Sequence, residues 1–357
     1  MLTERINPDQ KTIFEKVKSL DYILILIILI IGIISGFAMY STDGGKILYH
    51  TKSHIIRFGL FFFLFLFLSF IKPKIWHSLA YFFYFIILLM LIWALYFGLT
   101  ISGSQRWIDL YFLNIQPSEL MKIAIILVFA KFYHRVQSSE VNNIKNIIQP
   151  LVLLILPIFL VVAQPDLGTS ILIAASGITV MWLSGLNLKY FIYSFLLLLV
   201  TTPFAISLLK PYQKLRVLTF FDPDRDPLGA GYQIIQSKIA VGSGGLSGKG
   251  FLKGTQSYLE FLPEKHTDFI FTLFSEEFGF IGSTFLLILY SVLIYRIILI
   301  GIKSRNYFSK LYCFGFGSAI FIYITVNMSM VLGLLPIVGS PLPIMSYGGS
   351  SMLATMI

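Results

Sequence analysis

The sequence is poor in charge, has one cysteine and contains no recognisable metal motif. Only 12% of its 357 residues are Asp, Glu, Lys or Arg, about half the share found in soluble domains, which excludes an ordinary soluble protein. The one cysteine, Cys313, excludes an intrachain disulfide. The five histidines are scattered along the chain, and no metal site is predicted from them.

Apolar sequence fills the chain instead, with 57% hydrophobic residues and 34 phenylalanines. A helix that spans a membrane needs about 20 mostly apolar residues. By that criterion the sequence predicts an all-α integral membrane protein, a single polytopic domain over residues 1–357 with ten transmembrane helices. The predicted spans are 22–40, 55–71, 76–99, 117–134, 147–163, 168–186, 189–209, 269–302, 311–333 and 345–357.

Basic residues are distributed unevenly between the two sides of these spans, and cytoplasmic segments are usually the more basic ones. The short segments that would face outward hold only Lys46, Lys52 and Arg106, whereas the alternate segments hold more than half of the chain's 27 basic residues. The sequence therefore predicts a cytoplasmic N-terminus. The first span lacks a following cleavage site and is predicted to be retained. We interpret the net charge of +10 as a topology signal, and no nucleic-acid partner is predicted.

Residues 210–267 separate the seventh and eighth spans on the predicted outer side. Apolar runs alternate there with turn-forming Pro and Gly, which predicts a long ordered extracytoplasmic loop, and such loops often carry binding or catalysis. Its segment GSGGLSGKG resembles a phosphate-binding P-loop. Ser243 replaces the first glycine of that motif, however, and Gly250 replaces its hydroxyl residue. A flexible or closely packed turn is predicted instead, although its amides could still bind phosphate.

Charged residues occur at the outer ends of predicted spans, where they are costly without a partner or a function. Glu119 and Lys122 are three residues apart and share one helix face, either as a self-neutralising ion pair or facing a cavity. Asp166, in QPDLGT, either caps the sixth helix or serves a ligand. Arg106 and Trp107 precede the fourth span, where Trp is a common interface anchor and Arg suits phosphate.

The segment 331–351 is too rich in Pro and Gly for an ordinary connection between helices. Irregular backbone at membrane depth is tolerated only where it is buried or lines a cavity. With Asn327 and Ser329 just before it, the segment predicts a polar cavity that opens outward. Asp268 stands where the eighth span begins, and two roles stay open: a helix cap, or a general base whose pKa burial would raise.

Several long motifs occur in order along the chain: SGSQRWIDL, QPSELMK, QPDLGTS, DPLGAGYQIIQSKIAVGSGGLSGKG, GTQSYLEFLPEKHTDFIF, EEFG and GLLPIVGSPLPIMSYGGSS. From about residue 100 to the end, the chain resembles the SEDS family (shape, elongation, division and sporulation). The segments DPLGAGYQ and FLPEKHTDFIF are most similar to those of the rod-shape elongation members. Because the chain ends at Ile357, we expect the tenth span to be shorter than the family's.

The resemblance implies a peptidoglycan glycosyltransferase of the bacterial cytoplasmic membrane, which polymerises lipid II into glycan strands on the outer face during elongation. It implies that Asp268 is the essential carboxylate. We assign it as the general base that takes the acceptor's hydroxyl proton while the donor's anomeric carbon is attacked with inversion. The candidate residues for binding substrate and its pyrophosphate are Glu119, Lys122, Arg106, Trp107, Asp166, Arg216 and Lys238.

ATP is not required, because the pyrophosphate linkage already makes the donor reactive, and the sequence alone establishes no cofactor. A divalent cation, Mg²⁺ or Mn²⁺, could share the leaving group's charge, with Asp268, Glu264 or Asp166 as ligands. The family works with a class B penicillin-binding protein, and the chain lacks a complete S-x-x-K, S-x-N and K-T-G set. Cross-linking is therefore expected from such a partner, within an elongation complex of membrane proteins.

Two other functions stay open. A transporter or flippase of the lipid-linked precursor would present a similar polar cavity between broken helices, and it would move lipid without forming polymer. A scaffold for other synthases would keep its partners and the cell shape after neutral replacement of Asp268, Glu119 and Lys122.

Overall fold

The computed structural model describes residues 13–101, 104–110, 114–208, 211–226, 229–255, 262 and 264–357. These residues are predominantly helical. The helices are α1 (Ile13–Lys18), α2 (Tyr22–Thr42), α3 (Tyr49–Leu68), α4 (Pro73–Phe97), α5 (Pro117–Arg135), α6 (Ile144–Ala163), α7 (Leu167–Leu183), α8 (Leu188–Leu208), α9 (Pro211–Phe221), α10 (Ala230–Ser243), α11 (Ile270–Lys303), α12 (Tyr307–Val331) and α13 (Gly349–Met356).

Within the described residues, six helices are long and apolar enough to cross a membrane: α2, α3, α4, α6, α11 and α12. They match six of the ten predicted spans and confirm a predominantly helical integral membrane protein. The helices at the other four predicted spans are shorter or less apolar than these six. Helices α7 and α8 contribute shorter apolar stretches, α13 begins only at Gly349, and α5 carries charged residues along its length.

A small antiparallel sheet precedes α5 and was not predicted. Its strands are β1 (Leu99–Ile101), β2 (Ser104–Asp109) and β3 (Asn114–Ile115), in the order β1-β2-β3. The sheet places Arg106 and Trp107 on its central strand, with Trp107 opposite Leu99. The predicted interface loop is therefore a structured hairpin in its described part.

Helix α5 lies at the centre of the molecule, packed against α4, α7 and α12. Nearly every side chain from Pro117 to Ala130 is buried, so this helix has no single apolar face. One apolar core surrounds α5 together with α4, α6 and α7, and a second joins α2, α11 and α12. Charged residues on α5 are thus enclosed by protein instead of facing lipid.

In its described part, the stretch 210–267 forms two helices, α9 and α10, where the sequence predicted an ordered loop of apolar runs and turn-forming residues. Ser237 of α10 is fully buried. Its hydroxyl donates to the Val331 carbonyl at 2.7 Å and lies 2.9 Å from the Thr272 hydroxyl. Helix α10 is therefore fixed against the facing ends of α11 and α12.

Helix α11 is broken at Gly279, whose φ of 64° and ψ of −160° are not helical. The GSGGLSGKG segment lies against this break. The Lys249 amide donates to the Glu276 carbonyl at 3.0 Å, and a Cβ at Gly279 would lie 2.3 Å from the Gly248 nitrogen. These glycines allow two backbones to touch, which confirms the closely packed turn.

We expect Gly279→Ala to destabilise the chain by about 2 kcal/mol or more, because a side chain there has a left-handed φ and no room. Thermal unfolding of the detergent-solubilised chain measures this. Gly59→Ala is the matched control, since a Cβ at Gly59, inside α3, meets nothing within 4 Å. Equal midpoints for the two variants would contradict the assigned packing.

Candidate active site

Asp268 lies in a turn that is held by three successive hydrogen bonds. The carbonyls of residues 266–268 accept, in order, from the Tyr347 amide at 2.8 Å, the Ser346 hydroxyl at 2.6 Å and the Asn327 side-chain amide at 2.9 Å. Phe269, not Asp268, is the N-cap residue of α11, and it makes no side-chain cap. The N-cap position of α11 therefore lies one residue after Asp268.

The broken segment between α12 and α13 forms one wall beside the Asp268 side chain. A Cβ at Gly339 would lie 3.4 Å from Asp268 Oδ2, and Gly339 has a φ of 70°. Asn327 also donates to the Ser340 carbonyl at 2.6 Å. One buried amide thus ties the Asp268 turn to the neighbouring residues of the wall.

The same segment contains a strained residue whose neighbouring carbonyls are held by hydrogen bonds. Ile344 has a φ of 66°, uncommon for a β-branched residue. The carbonyls on either side of it are bonded: Tyr290 donates to Pro343 at 2.6 Å and Ser35 donates to Met345 at 2.9 Å. A strained backbone conformation persists only where surrounding contacts hold it in place, and such conformations are concentrated at functional sites.

Glu119 and Lys122 form a buried ion pair on α5, with Nζ 2.7 Å from Oε1. The Lys122 ammonium also lies 3.8 Å from the ring centroid of Tyr323. Tyr323 and Asn327 are four residues apart on α12, so they occupy adjacent turns of one face. The ion pair therefore lies about one helical turn from the residue that holds Asp268.

Both predicted interpretations of this pair hold, because the two side chains neutralise each other and also line a cavity. The cavity measures about 40 Å³ and is bounded as well by Pro343 from the broken segment and by Ser351 of α13. A space of this size is sufficient for one or a few water molecules.

Asp166 caps α7, as the simpler sequence interpretation predicted, and has further partners. It accepts from the Thr169 amide at 3.1 Å and from the Thr169 hydroxyl at 2.8 Å. It also accepts from Arg106 Nη1 at 2.9 Å and Gln116 Nε2 at 3.0 Å. Asp166 thus links the small sheet, α5 and α7.

The start of α7 is packed against the broken segment too. A Cβ at Gly168 would lie 2.2 Å from the Val338 carbonyl oxygen, and Val338 directly precedes Gly339 beside Asp268. The segment 338–343 therefore joins three predicted elements: the Asp166 cap, the Glu119 and Lys122 pair, and the Asp268 turn.

Several buried polar atoms in these elements have no hydrogen-bond partner among the described residues. Buried polar groups are normally paired, so a group of them calls for an explanation, such as a polar ligand. The atoms are Arg106 Nε, Trp107 Nε1, Ser118 Oγ, Tyr323 OH, Asn327 Oδ1 and Ser340 Oγ.

His266 lies beside Asp268 and carries no positive charge at neutral pH. Burial lowers the pKa of its imidazole to about 4, the charges of His50 and Lys265 act in the same direction, and Asp43 opposes them. An uncharged His266 imidazole therefore does not offset the negative charge of the Asp268 carboxylate two residues away.

The remaining candidates are not brought into this group by the contacts of the described residues. Lys238 is exposed on α10, with its side chain against Gly333 beyond the end of α12. Arg216 lies in α9, but its side chain is outside the described part of the chain. Glu264 is exposed and accepts from the Thr267 hydroxyl at 2.9 Å.

Sequence reasoning missed the roles of Glu276 and Glu277, both almost fully buried. Glu276 accepts from Lys249 Nζ at 2.7 Å and from the Thr255 amide at 2.8 Å, while Glu277 accepts from the Ser41 hydroxyl and the Leu252 amide. Two adjacent carboxylates inside a predicted span were the available signal, because such charges need partners.

We expect Asn327→Ala to lower the free energy of unfolding by about 2–4 kcal/mol, since the buried Ser340 carbonyl and the part-buried Asp268 carbonyl lose their donor. Hydrogen exchange should rise in the 264–269 turn. Thermal unfolding and exchange measured by mass spectrometry test both effects. Asn146→Ala is the control, because that amide bonds the Glu140 carbonyl in an exposed position. Unchanged exchange in the turn would refute the positioning role of Asn327.

Taken together, the fold and these contacts define a polytopic membrane protein with a charged polar site near the ends of its helices, built around a broken segment. Comparisons with known proteins assign it to a family.

The family model for FtsW, RodA and SpoVE, described as "Cell cycle protein", matches residues 18–357. The chain is 43% identical to the peptidoglycan glycosyltransferase MrdB of Escherichia coli K12 over 352 residues, which cover 98% of this chain and 94% of that protein. A solved chain of a peptidoglycan synthase complex that coordinates polymerization and crosslinking matches with a TM-score of 0.81 and 31% identity, over 95% of each chain. RodA of Thermus thermophilus, a rod shape determining protein, matches with a TM-score of 0.71 and 25% identity, over 95% of this chain and 93% of that one.

The chain belongs to the FtsW, RodA and SpoVE family. The resemblance stated from its motifs is thereby confirmed, including the similarity to rod-shape members.

Proposed function

We propose that this protein is a peptidoglycan glycosyltransferase, which polymerises lipid II into glycan strands on the outer face of the cytoplasmic membrane during cell elongation. The name and extent of the E. coli relative support the activity. The observation that carries the site is the Asp268 turn, whose three carbonyls are fixed by Asn327 and the broken segment. A half-buried carboxylate on a rigid support suits a general base.

In this mechanism the Asp268 carboxylate accepts the proton of the acceptor hydroxyl. The hydroxyl oxygen attacks the donor's anomeric carbon, and the bond from that carbon to the pyrophosphate oxygen breaks. The lipid pyrophosphate leaves with the bonding electrons, and the configuration at the carbon inverts. Developing negative charge on the leaving group needs cationic partners, and Lys122 and Arg106 are the best placed for that role.

The other candidates have supporting roles in the proposal. Glu119 holds Lys122 in position, Asp166 holds Arg106, and Trp107 offers an indole N–H. Arg216 of α9 and Lys238 of α10 follow Lys122 and Arg106 as candidate cationic partners of the pyrophosphate.

A divalent cation near the leaving group stays a prediction, and no step here depends on it. Asp166 fits the role of ligand poorly, because its oxygens already accept from Arg106, Gln116 and Thr169. None of Asp268, Glu264 and Asp166 is part of the cluster of potential ligands that the described residues form.

We also propose ten membrane crossings, with α5, α7, α8 and α13 added to the six long apolar helices, and a cytoplasmic N-terminus. The distribution of basic residues supports this orientation, which places Asp268 outside. The partner that we propose is a class B penicillin-binding protein of the elongation complex. The similarity to a chain of a peptidoglycan synthase complex supports that choice.

The function is tested by incubating the purified chain and its class B partner with labelled lipid II. We expect long glycan, and NMR should show that the new glycosidic bond has the configuration opposite to that of the donor. Retained configuration would overturn the single-displacement mechanism. Absence of glycan, with the partner bound, would favour a transporter or a scaffold.

A further inference from the structure

Asp43 and His50, which are close in sequence, meet the distant His266 outside the contacts described above. Asp43 follows α2, His50 lies in the first turn of α3, and His266 lies in the turn before α11. One potential ligand atom from each lies within 4.8 Å of the others. The proposed reaction uses none of these side chains, since only the carbonyl of His266 supports the Asp268 turn.

Two of the three ligand atoms already have the spacing of neighbouring ligands on one ion. His50 Nδ1 lies 3.2 Å from Asp43 Oδ1, in a hydrogen bond that an ion bound between the two atoms would replace. Zinc–ligand distances of about 2.0–2.2 Å place two tetrahedral ligand atoms roughly 3.3–3.6 Å apart. The rings of His50 and His266 are stacked, with centroids 4.1 Å apart and 15° between their planes. An imidazole nitrogen binds a metal in the plane of its ring, so ligation of one ion by both rings requires one of them to rotate about its side-chain torsions.

The carboxylate of Asp43 is oriented by hydrogen bonds behind it, as metal ligands usually are. Its Oδ2 accepts from the Thr51 amide at 2.9 Å and from the Thr51 hydroxyl at 2.6 Å. The Asp43 side chain is only 3% exposed. These bonds leave Oδ1 directed to His50.

An independent observation points to a ligand at the same place. The Nδ1 atom of His266 is buried and has no hydrogen-bond partner among the described residues. An imidazole nitrogen in this situation lacks the partner that buried polar atoms normally have. A bound cation would supply one.

Space for an ion and its water exists beside the three side chains. A cavity of about 270 Å³ is lined by Asp43, His50 and His266 together with Ser41 and Lys265. Lys265 is the one positive side chain in this lining, so an anion that binds there is the competing outcome.

We propose that Asp43, His50 and His266 bind one divalent transition-metal ion, for which two imidazoles and one carboxylate make Zn²⁺ the best-suited ion. The ion would connect the α2–α3 hairpin to the turn that carries Asp268. This inference does not depend on the glycosyltransferase proposal, because binding is measured without lipid II.

The test uses the full-length chain in detergent, stripped of metal with a chelator and then titrated with Zn²⁺ against a chromophoric competitor. We expect one Zn²⁺ per chain, with affinity roughly 100-fold weaker in His50→Ala and in Asp43→Asn. His134→Ala, on the far end of α5, is the control and should bind as the wild type does. Added Zn²⁺ should raise the thermal midpoint of the wild type and not that of His50→Ala.

Substitution by Co²⁺ adds a spectroscopic readout, since imidazole and carboxylate ligation changes its visible absorption. A spectrum lost in both cluster variants would support the site. Zn²⁺ affinity that is equal in the wild type and the variants, no stoichiometric binding, or a midpoint raised by inorganic phosphate and not by Zn²⁺ would each overturn it. Asp43→Asn keeps the test decisive if His50→Ala does not fold.

Discussion

Asp268→Asn is expected to reduce glycan synthesis by at least about 100-fold, while the chain stays folded and keeps its class B partner. An amide cannot accept the acceptor's proton, and general base catalysis contributes roughly 10²–10⁴-fold. The fold should survive, because the contacts that hold this turn are made by its backbone carbonyls. Polymerisation of labelled lipid II, followed by gel separation of the glycan, measures the loss.

Asp222→Asn is the matched control for this variant. Asp222 follows α9 in the same stretch 210–267, and its exposed carboxylate pairs with Arg225. We expect wild-type glycan from it. Glycan from a folded Asp268→Asn at the wild-type rate would remove Asp268 from the chemistry and direct attention to Glu119.

Lys122→Met is expected to have the second large effect, on stability as well as activity. The substitution leaves Glu119 as a buried charge without its partner at 2.7 Å and removes the ammonium from the Tyr323 ring. Breaking one side of a buried ion pair costs about 3–5 kcal/mol. Thermal unfolding of the detergent-solubilised chain should therefore show a midpoint several degrees lower.

The double variant Glu119→Gln with Lys122→Met separates the two effects. It removes both charges, so most of the lost stability should return. Polymerisation should not return, because the proposed partner of the leaving pyrophosphate is still missing. Recovery of polymerisation in the double variant would show that the pair has only a structural role.

Local and periodic features of this molecule could be read from the sequence. Long apolar runs predicted six helices of the described chain that are long and apolar enough to cross a membrane, and the spacing of Glu119 and Lys122 predicted their shared face. The position of Asp166 before an apolar run predicted a helix cap. The density of Pro and Gly in 331–351 predicted the broken segment.

Long-range contacts could not be read in the same way. Helix α5 is enclosed by neighbouring helices, so its charges did not reveal how deeply it is buried. The glycines of GSGGLSGKG predicted a tight turn, but nothing local identified the break at Gly279 as its partner. Asp43 and His50 lie far from His266 in sequence, so their meeting required the folded structure.

The most direct test of the central claim follows lipid II in proteoliposomes that contain the chain and its class B partner, with fluorescent lipid II in both leaflets. Glycan formation and movement of the lipid between leaflets are measured in the same vesicles, for the wild type and for Asp268→Asn. We predict glycan from the wild type, none from Asp268→Asn, and equally slow lipid movement in both. Rapid lipid movement that Asp268→Asn blocks, with no glycan in either sample, would contradict the account and establish a transporter.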